Sequence, residues 1–134
     1  MIALVEDNPA DVGLICRALE AHGVEGEIAA MNDGENAIRF FQFIETEGIG
    51  CPGLVILDLN LPRKSGREVL EYIRRGEKCA RTPIIVLTSS DADGDRADAN
   101  RFGASRYIRK PLRLQEFLDL GAIFRQALSG PQNR

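Results

Sequence analysis

Two short apolar runs constrain the fold of this chain more than any other feature. Residues 54–57 read Leu-Val-Ile-Leu and residues 84–87 read Ile-Ile-Val-Leu, with no polar side chain in either run. A strand that is apolar at every position is buried on both faces, as the central strands of a parallel sheet are. The runs therefore predict an α/β protein in which helices cover both faces of the sheet.

Three further short segments with apolar residues predict the remaining strands, and amphipathic segments separate the strands. The predicted strands are 2–5, 27–30, 54–57, 84–87 and 105–108. Apolar residues at helical spacing predict the intervening helices; Val12, Ile15 and Leu19 mark the first of these. The fourth helix, predicted at 91–102, is rich in aspartate and has few apolar residues to bury. We therefore expect it to be the least firmly packed element.

Length and charge limit the number of domains and the kinds of partner. The 134 residues suit one domain, 1–128, followed by a short tail, 129–134. Seventeen Lys and Arg against twenty Asp and Glu give a net charge of -3, which offers no general attraction for nucleic acid or anionic lipid. No run reaches membrane-spanning length, and no basic leader precedes the first strand. We expect a cytoplasmic protein that binds neither nucleic acid nor membrane directly.

The cysteines indicate free thiols. Cys16, Cys51 and Cys79 are an odd number, widely spaced, and the chain has no Cys-x-x-Cys pair and a single histidine. That pattern argues against a zinc site and against a disulfide framework. We therefore expect all three thiols to be reduced.

Charged and hydroxyl side chains follow the predicted strands. Glu6 and Asp7 follow the first strand, Asp58 the third, Thr88 the fourth and Lys110 the fifth. The carboxyl ends of parallel strands share one edge of the sheet, where α/β proteins bind ligands. Carboxylates about 4 Å apart repel by roughly 4 kcal/mol at an effective dielectric near 20, so cations are required there. Lys110 supplies one charge, and Mg²⁺ suits carboxylate, backbone and phosphate oxygens.

A carboxylate beside Mg²⁺ and a lysine is a suitable nucleophile toward a phosphoryl group. Both cations offset the negative charge on the phosphoryl oxygens, and the hydroxyl of Thr88 is placed to donate to one of them. The residues themselves thus predict phosphoryl chemistry at one of these carboxylates.

Four separated motifs resemble the receiver domains of two-component response regulators. In order, they read LVEDN at 4–8, VILDLNLP at 55–62 with Gly66 beyond it, VLTS at 86–89, and GA at 103–104 with YIRKP at 107–111. Their order and spacing agree with the family from Ile2 to about Leu128, which is far more specific than any single motif. The chain is most similar to single-domain receivers of the chemotaxis type, and its EDNPAD opening and DLNLP loop resemble receivers paired with bacterial phytochromes.

The resemblance implies a doubly wound, five-stranded parallel sheet of flavodoxin-like order 2-1-3-4-5, with five helices on its two faces. It also implies that Asp58 accepts the phosphoryl group. Mg²⁺ would be bound by Asp7, Asp58 and the backbone carbonyl of Asn60, with Glu6 acting through water. Lys110 would bridge the phosphoryl group and be aimed by a cis peptide bond to Pro111.

The resemblance further implies how the signal leaves the domain. Thr88 would move toward the phosphoryl group while the ring of Tyr107 turns inward, changing a surface of helix four, strand five and helix five. A sensor histidine kinase or phosphotransfer protein would be the donor. Because no output domain is expected after Leu128, a downstream protein or a second copy would respond. The protein would be a switch that catalyses only its own phosphorylation and dephosphorylation.

Other interpretations compete with this one. Asn8 and Pro9 are typical of a helix start, Asp58 alone would suit a turn, and Asp91 is expected to cap helix four. A flavodoxin-like FMN binder is disfavoured because Glu6 would repel phosphate. A haloacid dehalogenase-type phosphatase would need Asp-x-Asp after its first strand. A receiver-shaped module that is never phosphorylated would not need the intact charged set.

Overall fold

The computed structural model describes residues 1–129, which form a single parallel sheet with the strand order β2-β1-β3-β4-β5. The strands are β1 (Ile2–Val5), β2 (Ile28–Met31), β3 (Leu54–Leu57), β4 (Ile84–Thr88) and β5 (Arg106–Arg109). The helices are α1 (Pro9–Ala21), α2 (Gly34–Glu47), α3 (Gly66–Arg75), α4 (Asp93–Arg101) and α5 (Leu114–Ser129). The predicted fold class, sheet order and five helices are therefore confirmed.

The strands at the centre of the sheet agree best with the sequence analysis. Every residue of β1, β3 and β4 is buried, and β1 and β3 have the predicted bounds. The edge strands β2 and β5 are only partly buried, and each begins one residue later than predicted. An edge strand has a neighbour on one side only, so its apolar pattern is weaker and marks its ends less clearly.

Helices cover both faces, and each face has its own apolar core. One core packs α1 and α5 against the sheet, and the other packs α2, α3 and α4 against the opposite face. Gly121 of α5 lies so close to α1 that a Cβ there would overlap the carbonyl oxygen of Ala18. A glycine at this position therefore permits the close approach of α1 and α5.

Helix α4 is the weakly packed element that the sequence predicts. Ala99 is its one buried residue, and its N-cap, Ala92, makes no side-chain capping hydrogen bond. The prediction that Asp91 caps this helix is wrong. The carboxylate of Asp91 instead pairs with Arg96 at 3.6 Å and with Arg109 at 3.4 Å. By contrast, Asn8 caps α1 as expected, accepting from two backbone N–H groups.

A disulfide bond joins Cys51 to Cys79, so the prediction of three reduced thiols is wrong for these two residues. They are separated by 28 residues in sequence, but their Cα atoms lie 5.7 Å apart. Cys51 lies in the loop that leads into β3 and Cys79 in the loop that leads into β4. Because β3 and β4 are parallel neighbours, the loops that enter them meet at the same edge of the sheet. Cys16 is free.

Two further expectations concern the end of the domain and membrane-spanning segments. Helix α5 extends to Ser129, the first residue of the expected tail, and residues 130–134 lie outside the described part, so the division at residue 128 stays a prediction. Across residues 1–129, each helix is too short or too polar to cross a bilayer.

Candidate phosphoryl-transfer site

Strand pairing brings the carboxylates of Glu6 and Asp58 together. Val5, the last residue of β1, lies in register with Leu57, the last residue of β3. The backbone N–H of Asp58 then donates to the carbonyl of Val5 at 3.0 Å, which places the residues after the two strands side by side. Both carboxylates are buried at the carboxyl edge of the sheet.

Glu6, Asp7 and Asp58 form an acidic cluster. Each offers one carboxylate oxygen, and these oxygens lie within 4.8 Å of one another; Glu6 and Asp58 are buried and Asp7 is exposed. Burial, opposed by the hydrogen bond from Lys110 and assisted by the charge of Asp58, raises the pKa of Glu6 to about 7. A cluster of hard oxygen ligands with unbalanced negative charge fits a divalent cation. The residues present therefore suit the metal that the sequence analysis predicts.

The ammonium group of Lys110 lies among three carboxylates. Its Nζ atom is 2.9 Å from Glu6 Oε1, 2.9 Å from Asp58 Oδ2 and 2.8 Å from Asp11 Oδ2. Burial opposes its charge, but the hydrogen bonds to Asp11, Glu6 and Asp58 outweigh burial and raise the pKa of Lys110 above its usual value. The lysine is therefore held as a cation at the centre of the site.

The backbone places Lys110 without the predicted cis peptide bond. Its N–H donates to the carbonyl of Thr88 at 2.8 Å, which aligns the end of β5 with the end of β4. No cis peptide bond occurs within residues 1–129, so the prediction of a cis Lys110–Pro111 bond is wrong. The trans form is the intrinsically favoured one, and from it the side chain already reaches the carboxylates.

Asp11 is a site residue that the sequence analysis missed. It lies in the first turn of α1, where the backbone N–H of Asp11 donates to the Asn8 side chain at 3.3 Å. Asp11 does not directly follow a strand, so the ends of the strands alone do not indicate it. A helix that starts just after β1 also places its first turn at the carboxyl edge of the sheet, and that signal would have indicated Asp11.

The loop after Asp58 is fixed from two sides. The backbone N–H of Asn60 donates to Asp58 Oδ1 at 3.0 Å, and the Asn60 side chain approaches Thr88 Oγ1 at 3.5 Å. Gly66, the first residue of α3, lies so close that a Cβ would overlap the carbonyl oxygen of Asp58. These contacts hold the carboxylate of Asp58 in one place.

Thr88 and Tyr107 are linked through Ser90. The Thr88 side chain is fully buried, and its oxygen accepts from the backbone N–H of Ser90 at 3.3 Å. The hydroxyl of Tyr107 donates to the carbonyl of Ser90 at 2.8 Å, and the hydroxyl of Ser90 donates to the carboxylate of Asp95 in α4. The guanidinium of Arg96 lies 4.5 Å from the centre of the Tyr107 ring. Ser90 and Arg96 join this pair to α4, a connection that sequence reasoning did not indicate.

Comparison with known proteins identifies the class. The family model for the response regulator receiver domain matches residues 2–120, so the chain belongs to the response-regulator receivers. It is 40% identical over 116 residues to the probable methanogenesis regulatory protein FilR2 of Methanothrix harundinacea, covering 87% of this chain and 75% of FilR2. It is 35% identical over 121 residues to response regulator Rcp1 of Synechocystis, covering 90% of this chain and 82% of Rcp1.

Two solved structures agree with the fold and with the nature of the site. The Mn²⁺-bound form of Rcp1 superposes with a TM-score of 0.85 at 32% identity, covering 97% of this chain and 95% of that one. The phosphorylated cyanobacterial phytochrome response regulator RcpA gives a TM-score of 0.87 at 35% identity, covering 97% and 94%. The predicted resemblance to phytochrome-partner receivers is thereby confirmed.

The family establishes the general function. The chain is a receiver of two-component phosphorelay signalling, a class of switch that acts with histidine kinases and downstream partners. This membership favours signalling over the FMN-binding and phosphatase interpretations. The predicted cytoplasmic location stays a prediction.

Proposed function

We propose that this receiver accepts a phosphoryl group on Asp58, with Mg²⁺ held by Glu6, Asp7, Asp58 and the backbone carbonyl of Asn60. The observation that carries the proposal is the contact of 2.9 Å between Lys110 Nζ and Asp58 Oδ2 beside the acidic cluster. Mg²⁺ would offset the charge that gathers on the phosphoryl oxygens. Mg²⁺ prefers oxygen ligands, and the proposed residues offer carboxylate oxygens and a backbone carbonyl oxygen.

The transfer replaces one bond to phosphorus by another. A carboxylate oxygen of Asp58 forms the new P–O bond while the P–N bond of a phosphohistidine donor breaks, and the imidazole nitrogen leaves with the electron pair. Lys110 then donates to a phosphoryl oxygen instead of to the free carboxylate. The hydroxyl of Thr88 donates a hydrogen bond to another phosphoryl oxygen, and a donor that is already in place stabilises the charge that develops there.

The proposed conformational change begins when Thr88 turns toward the phosphoryl group. Thr88 Oγ1 then no longer accepts the hydrogen bond from the backbone N–H of Ser90. Ser90 also contacts two other elements: its carbonyl accepts from the Tyr107 hydroxyl, and its own hydroxyl contacts Asp95. Rearrangement of Ser90 would therefore affect both α4 and β5. We propose that α4, β5 and α5 form the responsive surface, which binds a downstream protein or a second copy. The donor is a sensor histidine kinase or a phosphotransfer protein.

Intact-mass analysis after incubation with acetyl phosphate and Mg²⁺ tests the proposal without requiring a known kinase. The wild type is expected to gain one phosphoryl group, and Asp58→Asn is expected to gain none because its amide is not a nucleophile. Omitting Mg²⁺ should also prevent the adduct. Folded wild-type protein that stays unmodified beside a positive-control receiver would favour a receiver-shaped binding module instead.

The metal requirement has a separate test by thermal unfolding. Millimolar Mg²⁺ is expected to raise the midpoint, and Asp7→Asn should reduce that rise because one ligand is lost. Burial raises the pKa of Glu6 to about 7, so a proton competes with the cation for this carboxylate. The Mg²⁺-induced rise should therefore grow from pH 6 to pH 8 and lose most of this pH dependence in Glu6→Gln. A wild-type midpoint unmoved by Mg²⁺ at pH 8 would contradict the proposed metal site.

A further inference from the structure

Every N–H donor of the Lys110 ammonium faces a carboxylate. A lysine ammonium has three N–H groups. Its Nζ atom lies 2.8–2.9 Å from oxygens of Glu6, Asp11 and Asp58, which are one acceptor for each donor. A phosphoryl group on Asp58 would receive the donor that now faces the Asp58 carboxylate, while Glu6 and Asp11 still hold the ammonium and oppose its movement toward the phosphoryl oxygens.

We propose that Asp11 is a positioning residue that holds Lys110 in the unphosphorylated protein and competes with the phosphoryl group for it. This inference rests on the proposed phosphorylation of Asp58 and concerns how strongly the site retains the group. Asp11 lies outside the acidic cluster of Glu6, Asp7 and Asp58, so a cation bound to that cluster would not require Asp11 as a ligand.

Asp11 is the partner that can release Lys110 at the lowest cost. Its side chain is 19% exposed, whereas those of Glu6 and Asp58 are 1% and 4% exposed. Water can therefore hydrate the Asp11 carboxylate when the ion pair opens, but it cannot reach the other two as readily. The first turn of α1 also favours a negative charge at Asp11 through the helix dipole.

The competition predicts the direction in which the affinity for a phosphoryl analogue should change. Replacing Asp11 with asparagine removes one negative charge and leaves a weaker acceptor for Lys110. The ammonium is then more available to a phosphoryl oxygen, so Asp11→Asn should retain a phosphoryl analogue more tightly than the wild type. Simple damage to the site would have the opposite effect.

Titration with beryllofluoride, a phosphoryl analogue, tests this by fluorine NMR at saturating Mg²⁺. Asp11→Asn is expected to lower the Kd about three- to tenfold, the size of a partly exposed charged hydrogen bond. Asp11→Glu restores a carboxylate and should return toward the wild-type Kd. Glu20→Gln removes the same charge from an exposed position of α1 and should leave the Kd unchanged.

A second measurement in metal-free protein follows Lys110 directly. Acetylation by a small reagent, read by peptide mass spectrometry, should modify Lys110 several-fold faster in Asp11→Asn than in the wild type. Lys64 and Lys78, the other lysines of the chain, serve as internal controls and should react at unchanged rates.

The outcomes separate this inference from the function on which it rests. A wild type that binds no beryllofluoride would overturn both. A wild type that binds the analogue, with an equal or higher Kd in Asp11→Asn, would overturn the competition alone. An unchanged acetylation rate at Lys110 would likewise overturn the holding role of Asp11.

Discussion

Helices α3 and α4 are neighbours on the same face of the sheet, yet they are held in very different ways. Helix α3 begins with a capping box between Ser65 and Glu68 and buries Val69, Leu70 and Ile73. Helix α4 lacks a side-chain cap and buries Ala99 alone. Both follow loops that leave the site, α3 after Asp58 and α4 after Thr88. The firm helix holds the loop that follows Asp58, and the weak helix has few buried contacts that resist movement.

The contrast extends to the carboxyl ends of the two helices. Arg74, in the last turn of α3, donates to the carbonyls of Ala80, Thr82 and Gly103. Its contact with Gly103 also ties down the segment after α4. Helix α4 is therefore restrained at its end, whereas its start near Thr88 is held by polar contacts of Asp95 and Arg96 with Ser90 and Tyr107 and by no buried apolar residue. Motion upon phosphorylation is expected to concentrate at that start.

The largest expected effect comes from removing the disulfide that anchors the loop after α3. The double variant Cys51→Ser/Cys79→Ser should lose about 2–4 kcal/mol of unfolding free energy, because the unfolded chain gains freedom. Urea unfolding measures this loss, and the wild type in reductant should behave like the double variant. The phosphoryl adduct at Asp58 should persist, since the disulfide lies at the opposite edge of the sheet. A loss below about 0.5 kcal/mol would mean that the bond does not restrain this region.

Removing Arg74 should have the next largest effect. Arg74→Ala removes the charged donor from the partly buried carbonyls of Ala80 and Thr82 and should cost about 1.5–3 kcal/mol in urea unfolding. Arg75→Ala is the matched control, because Arg75 is an exposed neighbour that pairs with Glu71. If both variants lost equal stability, the carbonyl contacts of Arg74 would not be the cause.

Substitutions at the N-cap residues of α3 and α4 should change the free energy of unfolding in opposite directions. Ser65→Ala removes the capping box of α3 and should cost about 1 kcal/mol, whereas Ala92→Ser gives α4 a capping hydroxyl and should add about 0.5–1 kcal/mol. Urea unfolding of each single variant measures both changes. Shifts of the same sign would show that the starts of α3 and α4 do not differ as described.

The smallest effect is expected at Gly94, in the first turn of α4. A Cβ at Gly94 meets no other atom within 4 Å, so Gly94→Ala should add about 0.5–1 kcal/mol through helix propensity. Hydrogen exchange should then show a smaller change in α4 upon phosphorylation, because α4 of the variant is already more stable in the unphosphorylated protein. Gly66→Ala, at the start of α3, should instead destabilise, since its Cβ would overlap the backbone at Asp58.

Much of the candidate site was accessible from sequence because strand ends are local features. An apolar run such as 54–57 predicts a buried parallel strand, and the residue that follows such a strand lies at the carboxyl edge of the sheet. That reasoning indicated Glu6, Asp58 and Lys110, which the structure brings together. It did not indicate Asp11, which is 99 residues from Lys110 in sequence and belongs to a helix.

Local sequence patterns predict the sheet, its central strands, the helix start at Asn8 and the edge at which the charged residues gather. The Cys51–Cys79 bond, the contacts of Arg74 and the pairing of Asp11 with Lys110 arise only when the chain is folded. These contacts could not be predicted because they join residues that lie far apart in the sequence. Apolar periodicity and capping depend on residues a few positions apart, whereas these pairings depend on which loops and helix ends meet once the strands have taken their order.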